Sequence, residues 1–233
     1  MDLNQVISKL KALENQDKVL FKQKKFGVVS SNSLGIYHKD LNELAKEIKK
    51  DSELAIQLFD TGIYEARILC SKVFHPKDLT EELMEKWVVT FENWEICDSF
   101  SMGLFAKSRF AESKATEWVI REREFEKRSG FAIIAAFCMA DKKAPNSTYE
   151  QFLPIIEKAS NDNRLYVKKA VNWALRNIGK RNKGLNKKAI ETAQRILEIE
   201  SKPAQWIAKD ALRELQGEKL NILDYPREIY RRT

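Results

Sequence analysis

The sequence predicts an all-α protein. Apolar residues recur at intervals of three and four almost from end to end of the 233 residues, and nowhere is there sustained strand alternation. Only eight Gly and five Pro are present, too few for a fold built on many tight strand turns. Finally, a helical segment beginning with an aromatic residue recurs: YEARILCSKV from Tyr64, WEICDSFSMG from Trp94, FEKRSGFAII from Phe125, YVKKAVNWAL from Tyr166 and WIAKDALREL from Trp206. Successive starts differ by 30, 31, 41 and 40 residues. Recurrence of helix pairs on that scale is the mark of an α-solenoid of HEAT or armadillo type, in which antiparallel pairs stack and equivalent inner helices line one concave groove.

In chain order the helical segments are MDLNQVISKLKALENQ, then DLNELAKEIKKDSELAIQLF, IYEARILCSKVF, TEELMEKWVVTF, NWEICDSFSMGLFAK, ESKATEWVIRERE, EFEKRSGFAIIAAFCMA, TYEQFLPIIEKAS, NRLYVKKAVNWALRNIGK, KKAIETAQRILEIE and KPAQWIAKDALREL. Short breaks separate them, marked by His75-Pro76, Ala144-Pro145-Asn146, Gly184 and Lys202-Pro203. Residues 1–217 are expected to form one solenoid domain and 218–233 a basic tail, with Arg227, Arg231 and Arg232 either disordered or touching DNA.

The fourth position of the repeated segment reads Arg67, Cys97, Arg128, Lys169 and Lys209, basic in four of five. In a solenoid such a column draws a positive stripe along the groove. The formal charge is +7, and between Asn163 and Ile190 nine Lys and Arg occur with no Asp or Glu. Acidic residues gather elsewhere, as in Glu112, Glu117, Glu122, Glu124 and Glu126, so a two-sided charge distribution and an acidic partner are expected. Cys70, Cys97 and Cys138 are odd in number and widely spaced, which disfavours a disulfide framework and fits a reducing cytoplasm. No h-region opens the chain and no run of about 18 apolar residues occurs, so neither secretion nor membrane spanning is expected. His38 and His75 are isolated, no metal-ligand spacing occurs, and there is no Gly-rich phosphate loop.

Trp94 and Asp98 lie four residues apart in NWEICD, which stacks an indole beside a carboxylate on one helical face. Such a pair can hold a cation. On spacing alone, however, an indole at a recurring helical position is more often core packing, and a lone carboxylate more often a solvated or paired surface group.

SLGIYHKDLNELAKEI followed by LFDTGIYEARILC, then NWEICD, EFEKRSGFAII and VKKAVNWALRNIGKRN, resembles in order the motifs of the DNA alkylation repair family of HEAT-like glycosylases, the AlkD-like proteins, over residues 33–215. The resemblance implies hydrolysis of the N-glycosidic bond of cationic N3- and N7-alkylated purines in double-stranded DNA, without metal or cofactor. Matched motif by motif, it implies functional roles for Trp94, Asp98, Arg128 in FEKR and Trp173 in KKAVNWALR. Arg67, Lys169, Arg176, Lys180 and Arg181 are the expected DNA-binding residues, neutralising phosphates in the groove. A monomer in the cytoplasm is expected. The alternatives are a catalytically silent HEAT-like nucleic-acid-binding module and a scaffold whose groove takes an acidic helix or tail.

Overall fold

The computed structural model describes residues 1–227. They form fourteen α-helices, and no strand occurs among them. In order these are α1 (Leu3–Ala12), α2 (Gln16–Phe26), α3 (His38–Ile48), α4 (Ser52–Asp60), α5 (Tyr64–Val73), α6 (Glu81–Val88), α7 (Trp94–Gly103), α8 (Ala111–Trp118), α9 (Glu124–Ala140), α10 (Ser147–Glu150), α11 (Phe152–Ala159), α12 (Leu165–Gly179), α13 (Lys183–Leu197) and α14 (Lys202–Leu215). The chain divides into two compact units, Met1–Ser108 and Arg109 onward. No helix is long and apolar enough to cross a membrane among the described residues.

Local chemistry sets the boundaries. Asp2 opens α1 with a capping box shared with Gln5, Asn93 caps α7 by accepting from the Glu95 and Ile96 amides, and Asn182 caps α13 by accepting from Leu185. The run DLNELAKEIKKDSELAIQLF, expected to be continuous, is two helices. Lys49 has φ 67° and the Asp51 carboxylate accepts from the Leu54 amide, so a cap inside the apolar pattern outweighs its periodicity. Helix α2 was absent from the expected segments, because QDKVLFKQKKF has no apolar stripe facing a core.

In the first unit α4 packs on α5, and α5 lies between α3 and α7. Its core is a chain of aromatic rings: Phe59, Phe74, Trp87, Phe91, Phe100 and Phe105, with centroids 5.1 to 6.3 Å apart. Each such ring removed from water contributes about 1.5–3 kcal/mol, and favourable ring pairs add about 0.5–1.5 kcal/mol. In the second unit α8 packs on α9, α9 on α12, and α12 on α14. Gly130 permits the α8–α9 approach, since a Cβ there would lie 2.7 Å from the Val119 backbone nitrogen. The five repeated segments are therefore α5, α7, α9, α12 and α14, and within each unit successive ones are neighbours. Rings at the first repeat position touch across α9 and α12, where Phe125 and Tyr166 have centroids 5.6 Å apart.

The described part of the tail is not detached. The Leu223 and Tyr225 amides donate to the Lys180 and Arg181 carbonyls at 2.9 Å, and Asn182 Nδ2 donates to the Tyr225 carbonyl at 2.5 Å. Arg231 and Arg232 lie outside the described residues.

Candidate nucleic-acid interface

The first unit carries Trp94, Asp98 and Arg67. Trp94 is the first residue of α7 and Asp98 stands one turn later, both half-buried. The indole Nε1–H donates to the Phe26 carbonyl at 2.9 Å, which fixes the ring and leaves its π-face as the part able to meet a ligand. Beside it is a buried polar network that reading the sequence missed. Glu95 pairs with Lys22 at 2.7 Å, the two side chains being 9% and 5% exposed, and lies 3.4 Å from His38 Nε2. The Tyr64 hydroxyl shares its proton between Asn93 Oδ1 at 2.8 Å and Glu95 Oε2 at 2.9 Å. Burial pushes the Glu95 carboxyl up, but bonds from His38, Lys22 and Tyr64 outweigh it and hold the group below the usual carboxylate range. Burial, then the neighbouring Glu95 charge, push the Tyr64 phenol far above its ordinary value. The first turn of α7 is thereby fastened to α2, α3 and α5.

The signal was in the second position of the repeat, which reads Glu65, Glu95 and Glu126 in three successive segments. All three are buried. Glu65 accepts from the Ser33 hydroxyl at 2.7 Å and from the amides of Leu34, Gly35 and Ile36 at 2.7, 2.9 and 3.2 Å. It therefore ties the SLGI loop to the YEARILC helix. Glu126 meets Arg121 and Arg123 at 3.2 and 3.0 Å.

Arg67 on α5 is spent within the protein. Its Nη1 reaches both Glu92 oxygens at 3.0 Å, and its Nη2 reaches the Thr90 carbonyl and hydroxyl at 3.0 and 2.9 Å. It secures the turn that leads into α7.

The second unit carries the other predicted residues. Arg128 on α9 is buried and donates to the Tyr166 carbonyl at 2.6 Å, joining α9 to the first turn of α12. On α12 the residues Tyr166, Lys169, Trp173, Arg176 and Lys180 follow one another at intervals of three and four, so they share a face. Lys169 is exposed and Trp173 half-buried. Arg176 pairs with Glu214, and Lys180 reaches the same carboxylate at 2.8 Å. Burial raises Glu214, but Lys180 and Arg176 hold it below the usual range. A parallel stripe on α14, missed as a site, comprises Trp206, Lys209 and Arg213, with Lys168 Nζ lying 4.9 Å over the Trp206 ring. Its 3,4 spacing in WIAKDALREL was the available signal.

Arg181 requires a correction: it is 0% exposed and cannot bind a phosphate. Its guanidinium donates to the carbonyls of Cys138 at 2.7 Å, Ala144 at 3.0 Å and Asp141, and stacks 4.0 Å from the Tyr149 ring. It satisfies the open carbonyls at the end of α9, where a cation is favoured. The basic run is compensated in part by carboxylates outside it, since Arg164 pairs with Asp162, Arg176 and Lys180 with Glu214, and Lys188 with Glu150. The acidic group is also paired locally, Glu117 and Glu126 both meeting Arg121. The three cysteines are buried, and burial pushes Cys138 up to about 12.

Among the described residues no three His, Cys, Asp or Glu are placed to hold a metal ion. The chain matches, over residues 6–215, the model of a family described as DNA alkylation repair enzyme. A solved structure covering 91% of this chain and 95% of its own superposes with a TM-score of 0.74 at 20% identity. It is described as a new family of proteins related to the HEAT-like repeat DNA glycosylases with affinity for branched DNA structures, and it establishes a HEAT-like repeat fold here. No curated protein matches the chain.

Proposed function

Because this chain belongs to the DNA alkylation repair enzyme family, we propose that it excises cationic N3- and N7-alkylated purines from double-stranded DNA. Alkylation leaves the purine positively charged and already a good leaving group. The C1′–N bond breaks with its electron pair going to the base, which departs neutral and alkylated. Water then adds its oxygen to C1′ and releases a proton, leaving an abasic site. The base needs no protonation, so the useful contribution of the protein is negative potential beside the developing oxocarbenium sugar, together with a held water.

Asp98 is assigned that role. The observation that carries the reading is its place on α7, half-buried one turn beyond a tryptophan whose ring is fixed by the Phe26 carbonyl. A partly dry carboxylate acts more strongly than a solvated one. Trp94 presents a π-face to the cationic base or the sugar, a favourable contact being worth about 0.5–2 kcal/mol, and Trp173 is assigned to DNA contact on the second unit. Arg128, tied to the Tyr166 carbonyl, is a positioning residue for the α9–α12 surface. Lys169 binds phosphate, and Arg176 and Lys180 do so in competition with Glu214. The protein acts as a monomer in the cytoplasm, with no metal or cofactor.

A second reading, binding of DNA without excision, is favoured by the description of the solved relative, whose stated affinity is for branched DNA. Incubation with duplex DNA carrying N7-methylguanine separates the two. Excision predicts free 7-methylguanine above the spontaneous background. Salt-sensitive binding without release would leave only the second reading.

A further inference from the structure

Helix α2 is turned inside out. Its one fully buried residue is Lys22, while Leu20, Phe21 and Phe26, with Val29 just beyond the helix, are 64%, 49%, 47% and 56% exposed. The cause is the ion pair described above. Lys22 faces inward to Glu95 and lies 5.5 Å over the Tyr64 ring, Val19 one turn earlier lies half-buried against Gly35, and Leu20, Phe21 and Phe26 are left on the exposed side. Phe21 and Phe26 pack edge to face, with centroids 5.8 Å apart. Lys24 and Lys25 are exposed between them, and Lys18 is half-exposed. The patch is anchored to the candidate site on two sides, since the Phe26 carbonyl accepts from Trp94 and the Val29 carbonyl from Asn93 at 3.0 Å.

Exposed apolar side chains, two of them rings in contact, interspersed with exposed lysines on a protein of net positive charge, mark an interaction surface. We propose that this face binds unpaired DNA bases, which stack on Phe21 and Phe26 while Lys24 and Lys25 meet the flanking phosphates. Single-stranded DNA offers what this surface can take, π-faces to stack on its rings carried on a polyanion to meet its lysines, and aromatic residues interleaved with Lys are the usual platform for it. A second copy of the chain is a poor occupant, because a two-fold interface sets the same patch against itself and Lys24 and Lys25 against their own images. Attachment to Asn93 and Trp94 places the patch beside the helix that bears Asp98, where strand separation next to a lesion would be sensed.

The inference rests on the DNA-binding part of the proposed function and not on excision. Its test therefore uses unmodified DNA: a fork with single-stranded arms and a blunt duplex of equal length. Wild type should prefer the fork. Phe21→Ala/Phe26→Ala should lose at least about tenfold in fork affinity, with blunt-duplex affinity changed less than about twofold. Phe21→Leu/Phe26→Leu, which keeps apolar area without rings, should lose most of the preference. Phe26→Trp should retain it. Both side chains are exposed, so thermal unfolding should be unaltered and serves as the folding control. Equal binding of fork and duplex by wild type, full fork affinity in the double alanine variant, or no DNA binding at all would each overturn the proposal. So would Phe-dependent self-association, or Phe-dependent binding to phosphatidylserine vesicles, if fork binding were unaffected. Absence of 7-methylguanine release would refute excision and leave this result standing.

Discussion

The first turn of α7 and the basic run of residues 163–190 are both dense in charge and use it in opposite ways. At α7 the charge is buried: Lys22 and Glu95 meet in a network with Tyr64, with the part-exposed His38 at its edge, that fixes the helix carrying Trp94 and Asp98. In the basic run charge divides by position. Arg181 is fully buried and holds the end of α9, Arg176 and Lys180 are shared with Glu214, and Lys169 is left exposed on the same helix as Trp173. Local charge density thus says little about role. What decides is whether a partner from a distant segment reaches the group first.

That comparison can be broken by substitution. The largest effect is expected at Lys22→Met, which leaves Glu95 buried without its nearest cation, with Tyr64 and His38 as its remaining partners, and should cost about 3–5 kcal/mol in urea unfolding. Lys22→Met/Glu95→Gln should recover much of that loss, because neither charge then remains. Arg181→Ala should cost about 2–4 kcal/mol through three abandoned carbonyls, yet leave the DNA affinity of the folded protein unchanged. Lys169→Ala should do the reverse. Its melting temperature should match wild type while DNA affinity falls for all sequences and lesions alike, and the salt slope should drop by about one. A changed lesion preference would contradict its role in positioning.

A smaller effect is expected from acid. Glu95, Asp162 and Glu214 all have folded values below the ordinary carboxylate range, Asp162 at about 2 because bonds from Arg164 and Lys127 outweigh burial. Lowered folded values mean stability that is present above the unfolded values near pH 4 and lost as pH falls through the folded ones. Melting temperature should therefore hold from neutrality to about pH 5 and decline from there toward pH 2.

Much of the fold was legible because helical periodicity and caps are local. The repeat register was legible too, since aromatics spaced 41 residues apart in sequence do touch, as Phe125 and Tyr166 do. What local pattern could not give was pairing through space. Arg181 and Lys180 are adjacent in sequence, and only the path of the chain after α9 decides that one is buried under carbonyls and the other reaches Glu214. Helix α2 escaped notice for the same reason: a helix that buries a lysine and exposes phenylalanines has the inverse of the pattern that periodicity detects. The Glu column at the second repeat position was readable as Glu65, Glu95 and Glu126, but its burial was not, since carboxylates on a helix are usually solvated. Trp94 and Asp98 were readable as one helical face, and the chemistry proposed for them came from the order of motifs, because on spacing alone core packing is the commoner outcome.

The central claim is that the Asp98 carboxylate drives the departure of a cationic base. It is tested most directly by single-turnover release of 7-methylguanine from methylated duplex by wild type and Asp98→Asn, with DNA binding measured on the same preparations. The account predicts that the variant binds DNA within about threefold of wild type, the small change expected for a group that acts mainly in the transition state, and releases base at least about a hundredfold more slowly. Undiminished release from Asp98→Asn would contradict it.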